Sequence, residues 1–247
     1  MPISSNSLIH LTDSREALEG ILIDTFRVKY CKETIKFKEK RATIHVPMVS
    51  FCDIPLSQIK DHISSYGCYG IGLTRDWAVR NHLNPVLYVQ NDSSLAHSYE
   101  QSLLYYEGDG AEDDSAVTAY RQLSDIARYI KNYEGMLERE GHEPKLYRFS
   151  DEREWRFVPN IDHDCEMYYS AKEFKDESVK RAANKSVSKL RLAFEPNDIK
   201  YIIIKDESEI NDFVNHLRSA KGANFTMREV EKLTTRILTS DQIATDF

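Results

Sequence analysis

The chain has 247 residues, of which 41% are hydrophobic and 30% charged, and its formal net charge is -7. This composition is typical of a soluble globular protein, and the acidic balance argues against indiscriminate binding to nucleic acid. No apolar run approaches the roughly 20 residues that span a bilayer, and residues 1–7 lack the pattern of a secretion signal. We therefore expect a cytoplasmic protein without a membrane partner. Four scattered cysteines, with no Cys-x-x-Cys pair, predict buried thiols and no metal site.

The first part of the chain predicts a mixture of strands and helices. Residues 7–12 predict a strand, after which Asp13 or Ser14 caps a helix with apolar residues at helical spacing. Residues 43–51 predict a strand that Pro47 interrupts, which favours an edge strand or a bulged one. The elements predicted next are a short helix at 56–64, a strand at 69–74, a helical turn at 75–81 and a strand at 85–89.

The middle of the chain is predicted to be helical. Residues 93–141 have helical periodicity, interrupted by an acidic loop with glycine at 108–114. The second helix has one apolar face, formed by Tyr120, Leu123, Ile126, Ala127, Ile130 and Leu137. Later elements are predicted as a basic helix, a strand at 201–205, a helix at 207–220 and a strand at 235–239. We expect one α+β domain over residues 1–247, with a helical insertion at about 93–141.

Residues 150–159, Ser-Asp-Glu-Arg-Glu-Trp-Arg-Phe-Val-Pro, predict a strand with a charged end. Because strand side chains alternate between faces, Glu152, Glu154, Arg156 and Val158 should share one face. Such a face belongs either to an edge strand that charges protect from pairing or to the wall of a polar cleft. The tryptophans of the chain, Trp77 and Trp155, are predicted to be core anchors.

A basic segment follows at residues 178–194, which contain five cations and no acid. Arg181, Lys185 and Lys189 recur every fourth residue and would form a cationic stripe on a helix. The stripe is either a solvated helix face or a groove that follows the phosphates of RNA or DNA.

Three stretches of the sequence are distinctive, namely Pro-Met-Val-Ser-Phe-Cys-Asp-Ile-Pro-Leu at 47–56, Tyr-Gly-Ile-Gly-Leu-Thr at 69–74 and Asn-Pro-Val-Leu-Tyr-Val at 84–89. Leu-Ile-His-Leu-Thr at 8–12 and Asp-Glu-Arg-Glu-Trp-Arg at 151–156 belong to the same pattern. Together these stretches resemble the AbiGi type of abortive phage-resistance protein. Members of this family are labelled antitoxin or phage-exclusion components. The resemblance therefore implies a toxin, antitoxin or chaperone as protein partner, and no particular chemistry.

A more distant resemblance, to ADP-ribosyltransferases of the DarT and RNA 2'-phosphotransferase kind, implies a chemistry and a split β-sheet core. Those enzymes open with a strand carrying His and then Thr, followed by a helix of the form Leu-x-x-Ile-Leu. His10, Thr12 and the sequence Leu-Glu-Gly-Ile-Leu at 18–22 match this opening. The middle motif is Ser50 or Tyr69, and Glu-Arg-Glu at 152–154 would be the third motif. No arginine lies in the first strand, so a His-Tyr-Glu arrangement has to be assumed.

This second resemblance implies NAD as the substrate and gives each motif a role. Glu154 would stabilise the ribosyl cation and deprotonate the acceptor, while Glu152 would orient the acceptor. His10, beside Thr12, would hold the other ribose, and the middle-motif residue would contact the nicotinamide. Outside such a site, His10 and Tyr69 would be core residues.

Two classes of function follow from these observations. The first is a phage-defence effector that transfers ADP-ribose from NAD to a nucleic acid, with RNA favoured, or to a protein. The second is a non-catalytic antitoxin or regulatory subunit that binds a partner toxin through the helical insertion. The enzyme requires His10, Glu154 and the middle-motif residue to converge on one cleft.

Overall fold

A computed structural model describes residues 5–38, 40–107, 114–137, 143–160, 162–222 and 225–246. The fold mixes helices and strands, which confirms the predicted α+β class. Within the described residues, no helix has both the length and the apolar character needed to cross a membrane. The chain divides into two compact units. Unit 1 comprises Met1–Arg27, Val49–Leu83 and Leu190–Phe247, and unit 2 comprises Val28–Met48 and Asn84–Lys189.

The strands and helices alternate irregularly along the chain. The strands are β1 Ser7–Thr12, β2 Phe26–Arg27, β3 Lys29–Lys36, β4 Arg41–Cys52, β5 Tyr69–Thr74, β6 Asn84–Pro85, β7 Leu87–Val89, β8 Ile130–Asn132, β9 Gly135–Leu137, β10 Lys145–Tyr147, β11 Glu154–Phe157, β12 Tyr169–Ser170, β13 Arg191–Leu192, β14 Ile199–Ile204 and β15 Ile237–Thr239. The helices are α1 Arg15–Asp24, α2 Lys60–Tyr66, α3 Arg75–Arg80, α4 Ser94–Glu107, α5 Asp114–Ala127, α6 Glu177–Ser186, α7 Ile210–Gly222, α8 Met227–Thr234 and α9 Ser240–Asp246. Short 3₁₀ turns lie at Leu56–Gln58, Phe149–Glu152, Glu173–Lys175, Pro196–Asp198 and Glu207–Glu209.

Unit 1 is built on a sheet in which β15, β14, β5 and β1 are neighbours in that order. β5 pairs antiparallel with β1 and with β14, and β15 runs parallel to β14. Five of the six residues of β5 are buried, as expected of a strand that is covered on both faces. The predicted helix after β1 is confirmed as α1, and its cap is Ser14, whose side chain accepts from the backbone of Ala17.

Aromatic side chains fill the interior of unit 1 beside this sheet. Phe26 and Phe51 pack edge to face with ring centroids 5.1 Å apart, and Phe51 packs in the same way on Trp77. Trp77 is fully buried, and its indole nitrogen donates to the carbonyl of Ala193. The predicted role of Trp77 as a core anchor is thus confirmed.

Gly67, which ends α2, is a position where the fold requires glycine. Its φ of +111° is one that residues with a Cβ rarely adopt, and an added Cβ would lie 2.2 Å from the carbonyl oxygen of Thr12. We expect Gly67→Ala to lower the free energy of unfolding by at least about 2 kcal/mol in urea denaturation. The matched control is Gly20→Ala in α1, where an added Cβ meets nothing within 4 Å. This change should stabilise the protein by up to about 1 kcal/mol, and two variants of equal stability would contradict the close approach at Gly67.

In unit 2, β4 pairs along most of its length with β3. Their register runs without a break from Lys29 opposite Met48 to Lys36 opposite Arg41. β12 pairs with β4 at His45 and Ile44, so that β4 has a neighbour on both sides there. The prediction of an edge or bulged strand at residues 43–51 is therefore wrong over this part. Other strand pairs in unit 2 are β11 with β6, β7 with β8 and β9 with β10.

The helical insertion is shorter than predicted. α4 and α5 are present, and residues 108–113 of the predicted acidic loop lie outside the described residues. The second helix was predicted to continue through Ile130 and Leu137, but it ends at Ala127, and these two residues lie in β8 and β9. Two overlapping four-residue turns close the helix, because the backbone N–H groups of Arg128 and Tyr129 donate to the carbonyls of Asp125 and Ile126. Pairing of β8 with β7 then overrides the helical periodicity.

Candidate functional site: a buried ionic cluster

Five charged side chains of unit 2 meet in its interior. Glu154 accepts from Arg156 Nε through Oε1 and from Lys131 Nζ through Oε2, each at 2.6 Å. Lys131 Nζ also donates to Glu152 Oε2 at 2.8 Å. Arg156 Nη2 lies 2.9 Å from Glu33 Oε1. These residues, Glu152, Lys131, Glu154, Arg156 and Glu33, are called the ionic cluster below.

Four separate segments position the ionic cluster. Glu154 and Arg156 are two residues apart on β11, and therefore point to the same face. Lys131 is the central residue of β8, and Glu33 lies in β3. Glu152 ends the 3₁₀ turn before β11, and Arg153 after it adopts a left-handed conformation with φ 47°. This turn brings Glu152 to the same lysine that binds Glu154.

The charged segment at residues 150–159 thus differs from its prediction in two respects. The strand begins only at Glu154, so Glu152 precedes it, although the two carboxylates still converge on Lys131. The shared face is neither a solvated edge nor an open cleft wall, because Glu152, Glu154 and Arg156 are 3%, 5% and 0% exposed. Alternation predicted which charges lie together, but it carries no information on what covers them. Trp155 is buried, as predicted.

Further hydrogen bonds hold the ionic cluster in place. Arg156 Nη1 donates to the carbonyl of Arg128 at 2.8 Å, and Arg128 Nη1 donates to the carbonyl of Pro159 at 2.9 Å. The backbone N–H of Glu154 donates to the hydroxyl of Tyr88 at 2.8 Å. The two arginine bonds orient both guanidinium groups. All three bonds pair backbone groups that burial would otherwise leave without a partner.

The charges of the ionic cluster stabilise one another. Burial alone would raise the pKa of Glu154, but Arg156 and Lys131 outweigh it and lower this pKa to about 2. Burial likewise opposes the charge of Lys131, yet Glu154, Glu33 and Glu152 raise the pKa of Lys131 well above its ordinary value. Glu154 is therefore ionised at neutral pH, with each of its two oxygens bound to a cation. Such a carboxylate is well suited to hold the fold and poorly suited to accept a proton from a substrate.

Sequence reasoning did not assign Lys131, Arg156 or Glu33 to a site. Residues 129–133, Tyr-Ile-Lys-Asn-Tyr, do not alternate between apolar and polar side chains, so the sequence carried no strand signal at Lys131. Glu33 lies in β3, a segment for which the sequence analysis predicted no element. The spacing of Glu154 and Arg156 did predict a shared face. A salt bridge between these two residues could therefore have been predicted from the sequence.

The residues predicted to hold NAD ribose lie in unit 1. His10 Nδ1 donates to the carbonyl of Ser50 at 2.8 Å, so the structure brings these two residues together. The His10 ring packs on Phe26 and Phe51, with centroids 5.2 and 5.5 Å away. Thr12 is half-buried at the end of β1.

Tyr69, the other candidate for the middle motif, lies directly opposite Thr12 in the pairing of β1 with β5. Its hydroxyl donates to Glu209 Oε1 at 2.8 Å, and burial raises the pKa of Tyr69, with the bond to Glu209 adding to the effect. His10, Thr12, Ser50 and Tyr69 belong to unit 1, whereas Glu152 and Glu154 belong to unit 2. Convergence of the two sets on one cleft stays a prediction.

The predicted cationic stripe is interrupted. Arg181 and Lys185 lie on the exposed side of α6, but α6 ends at Ser186 and Lys189 lies beyond it, so a single helical stripe of three cations is wrong. The hydroxyls of Ser186 and Ser188 bond back to the carbonyls of Ala183 and Lys185. Such bonds compete with helix continuation. Binding of RNA or DNA at these residues stays a prediction.

The described part of the chain holds no group of three or more His, Cys, Asp or Glu side chains that could bind a metal ion. All four cysteines are partly buried free thiols.

Comparison with known proteins places the chain in a family. Residues 24–205, which include the whole ionic cluster, match the family model described as "Putative abortive phage resistance protein AbiGi, antitoxin". The chain belongs to the AbiGi family. It is similar to "Abortive phage resistance protein AbiGi" of Lactococcus lactis subsp. cremoris, with 26% identity over 239 residues, covering 89% of this chain and 94% of that protein. No solved structure matches the chain.

These comparisons confirm the AbiGi resemblance seen in the sequence. They give no support to the ADP-ribosyltransferase resemblance, and its fold and its NAD site stay predictions.

Proposed function

We propose that this chain is the antitoxin subunit of an abortive-infection system, a protein that acts by binding a partner toxin and not by catalysis. The description of the AbiGi family names this class of protein. The observation that carries the proposal is the state of Glu154, the residue that an ADP-ribosyltransferase would need as its catalytic carboxylate. Both oxygens of Glu154 are bound by cations inside unit 2.

A carboxylate that stabilises a ribosyl cation has to face the substrate in the transition state. Glu154 is 5% exposed, and freeing its oxygens requires Lys131 or Arg156 to lose its main counter-charge. Leaving a buried charge without its partner costs about 3–5 kcal/mol. That cost favours a structural role for the Glu-Arg-Glu segment, and it leaves the binding of a protein as the better supported activity.

The helical insertion is our candidate surface for such a partner. Four large apolar side chains of α4 and α5 are exposed, namely Leu95, Tyr105, Val117 and Ile126. Scattered exposed apolar residues are ordinary, so these four side chains are candidate contact positions on α4 and α5, to be tested one pair at a time. α4 and α5 pack against each other in unit 2. A toxin that covers these helices would remove this apolar surface from water.

Co-purification with the toxin tests the proposal. The chain is co-expressed with the protein encoded beside it, and the mass of the complex and its dissociation constant are measured by light scattering and calorimetry. We expect a stoichiometric complex that Leu95→Lys with Tyr105→Lys weakens at least about tenfold, because each lysine would be buried without a partner. The matched control is Ile23→Lys with Val79→Lys, two residues of unit 1 that are each 61% exposed. The control should bind like the wild type.

The same preparation is incubated with labelled NAD and with RNA, DNA and protein acceptors. Transfer of the label to an acceptor by the isolated chain would contradict the proposal and favour the enzyme hypothesis.

A further inference from the structure

Unit 2 contains an open pocket of about 860 Å³. Side chains from α5, from the segment 163–169, from the 3₁₀ turn Glu173–Lys175 and from α6 form its walls. A pocket of this volume is in the range of sites that receive small ligands or single side chains of a partner. It lies apart from the ionic cluster, because none of the residues of the cluster lines it.

Aromatic rings form one part of the wall. Tyr120, Tyr168 and Tyr169 line the pocket, and the hydroxyls of Tyr120 and Tyr168 lie 3.3 Å apart. Tyrosine offers a rigid apolar face together with a polar tip, and its electron-rich face attracts cations. The rings therefore suit a ligand that combines an apolar stem with a positive charge.

Carboxylates form another part of the wall. The pocket is lined by three of them, Asp164, Glu166 and Glu173, and by one guanidinium, that of Arg121. Glu173 accepts from the backbone N–H and the hydroxyl of Ser170, and these bonds lower the pKa of Glu173. The side chains of Asp164 and Glu166 are exposed. The negative charge of the wall is thus open to a ligand and repels phosphate groups.

We infer that this pocket binds an arginine or lysine side chain presented by the partner toxin. The inference rests on the proposed function for the source of the cation. Arginine matches the wall best, because its planar guanidinium stacks on tyrosine rings and forms paired hydrogen bonds with a carboxylate. A nucleic acid would bring its phosphates against three carboxylates, and it is therefore not the occupant.

The pocket is tested with a labelled tetra-arginine peptide, whose binding is followed by fluorescence anisotropy. The pocket variant is Asp164→Lys with Glu166→Lys, which leaves intact the hydrogen bond from the Tyr30 hydroxyl to the backbone carbonyl of Glu166. The control variant is Asp92→Lys with Glu134→Lys, two exposed acids of unit 2 outside the pocket wall. Both variants change the net charge equally, so a difference between them reports the pocket alone.

We expect the peptide to bind the wild type and the control variant within about threefold of each other, and to bind the pocket variant at least about tenfold more weakly. Equal weakening in both variants, or no binding to the wild type, would overturn the inference.

The same two variants are then titrated with the toxin. A loss of toxin affinity that is confined to the pocket variant identifies the toxin as the source of the cation. If the toxin binds both variants alike, the inference fails while the proposed function stands. If the wild type binds no toxin, the proposed function is wrong, and the toxin is not the source of the cation. The peptide titration then still decides whether the pocket binds a cation.

Discussion

Replacing Arg156 with leucine is expected to lower the free energy of unfolding by about 3–5 kcal/mol, as measured by urea denaturation. Arg156 is fully buried and contacts both Glu154 and Glu33. Its removal leaves Glu154 with one cation in place of two, and it leaves the carbonyl of Arg128 without its donor. Leaving a buried carboxylate without its counter-ion is among the most destabilising effects that a single substitution can have.

The matched control for this change is Arg218→Leu. Arg218 pairs with Glu231 at 3.0 Å, but both side chains are nearly half exposed. An exposed pair contributes at most about 1 kcal/mol, so this variant should be close to the wild type. In a double-mutant cycle, the double variant Glu154→Leu with Arg156→Leu should lose clearly less free energy of unfolding than the sum of the losses in the two single variants. The reason is that the double variant removes both charges of the pair together. Equal losses in Arg156→Leu and Arg218→Leu would contradict the account of the ionic cluster.

Replacing Glu154 with glutamine is expected to destabilise the protein by roughly 3 kcal/mol. The change keeps the size of the side chain but removes the charge that Lys131 and Arg156 share. The lowering of the pKa of Glu154 from 4.5 to about 2 corresponds to a similar free energy, at about 1.4 kcal/mol per pH unit. An enzyme with a catalytic Glu154 would instead keep its stability and lose its activity in this variant.

The same pKa predicts how stability depends on pH. Because the pKa of Glu154 is lower in the folded protein than in the unfolded chain, its contribution is complete above about pH 4.5 and is lost as the pH falls from there towards about 2. Urea denaturation at a series of pH values should show that the wild type loses stability in this interval more steeply than Glu154→Gln. Parallel curves of stability against pH for the two proteins would contradict a lowered pKa of Glu154 in the folded protein.

Elements with a complete local signal could be predicted from the sequence. β1 and α1 were predicted because an apolar strand, a capping serine and apolar residues at helical spacing follow one another directly. β5 was predicted as a strand, and its sequence Tyr-Gly-Ile-Gly-Leu-Thr has a larger apolar side chain at every second position. The burial of Trp77 and Trp155 followed from the size of their side chains alone.

The candidate site could be predicted only in part, because its partners are distant in sequence. Glu154 and Arg156 were placed on one face by alternation, but Lys131 comes from β8 and Glu33 from β3. Whether a charged strand face is solvated or buried depends on which elements pack over it, and strand periodicity is the same in both cases. The end of α6 was missed for a different reason, since the serine hydroxyls that close it compete with the helix only weakly.

The measurement that tests the central claim most directly is rescue of growth by Glu154→Gln in cells that express the toxin, at a low and at a high growth temperature. If Glu154 stabilises an antitoxin that acts by binding, the variant should rescue growth at the low temperature, where it stays folded, and fail at the high one. The wild type should rescue growth at both. Failure of Glu154→Gln at both temperatures, with the variant folded and present at the wild-type level, would show that the carboxylate itself is needed for function and would contradict the account.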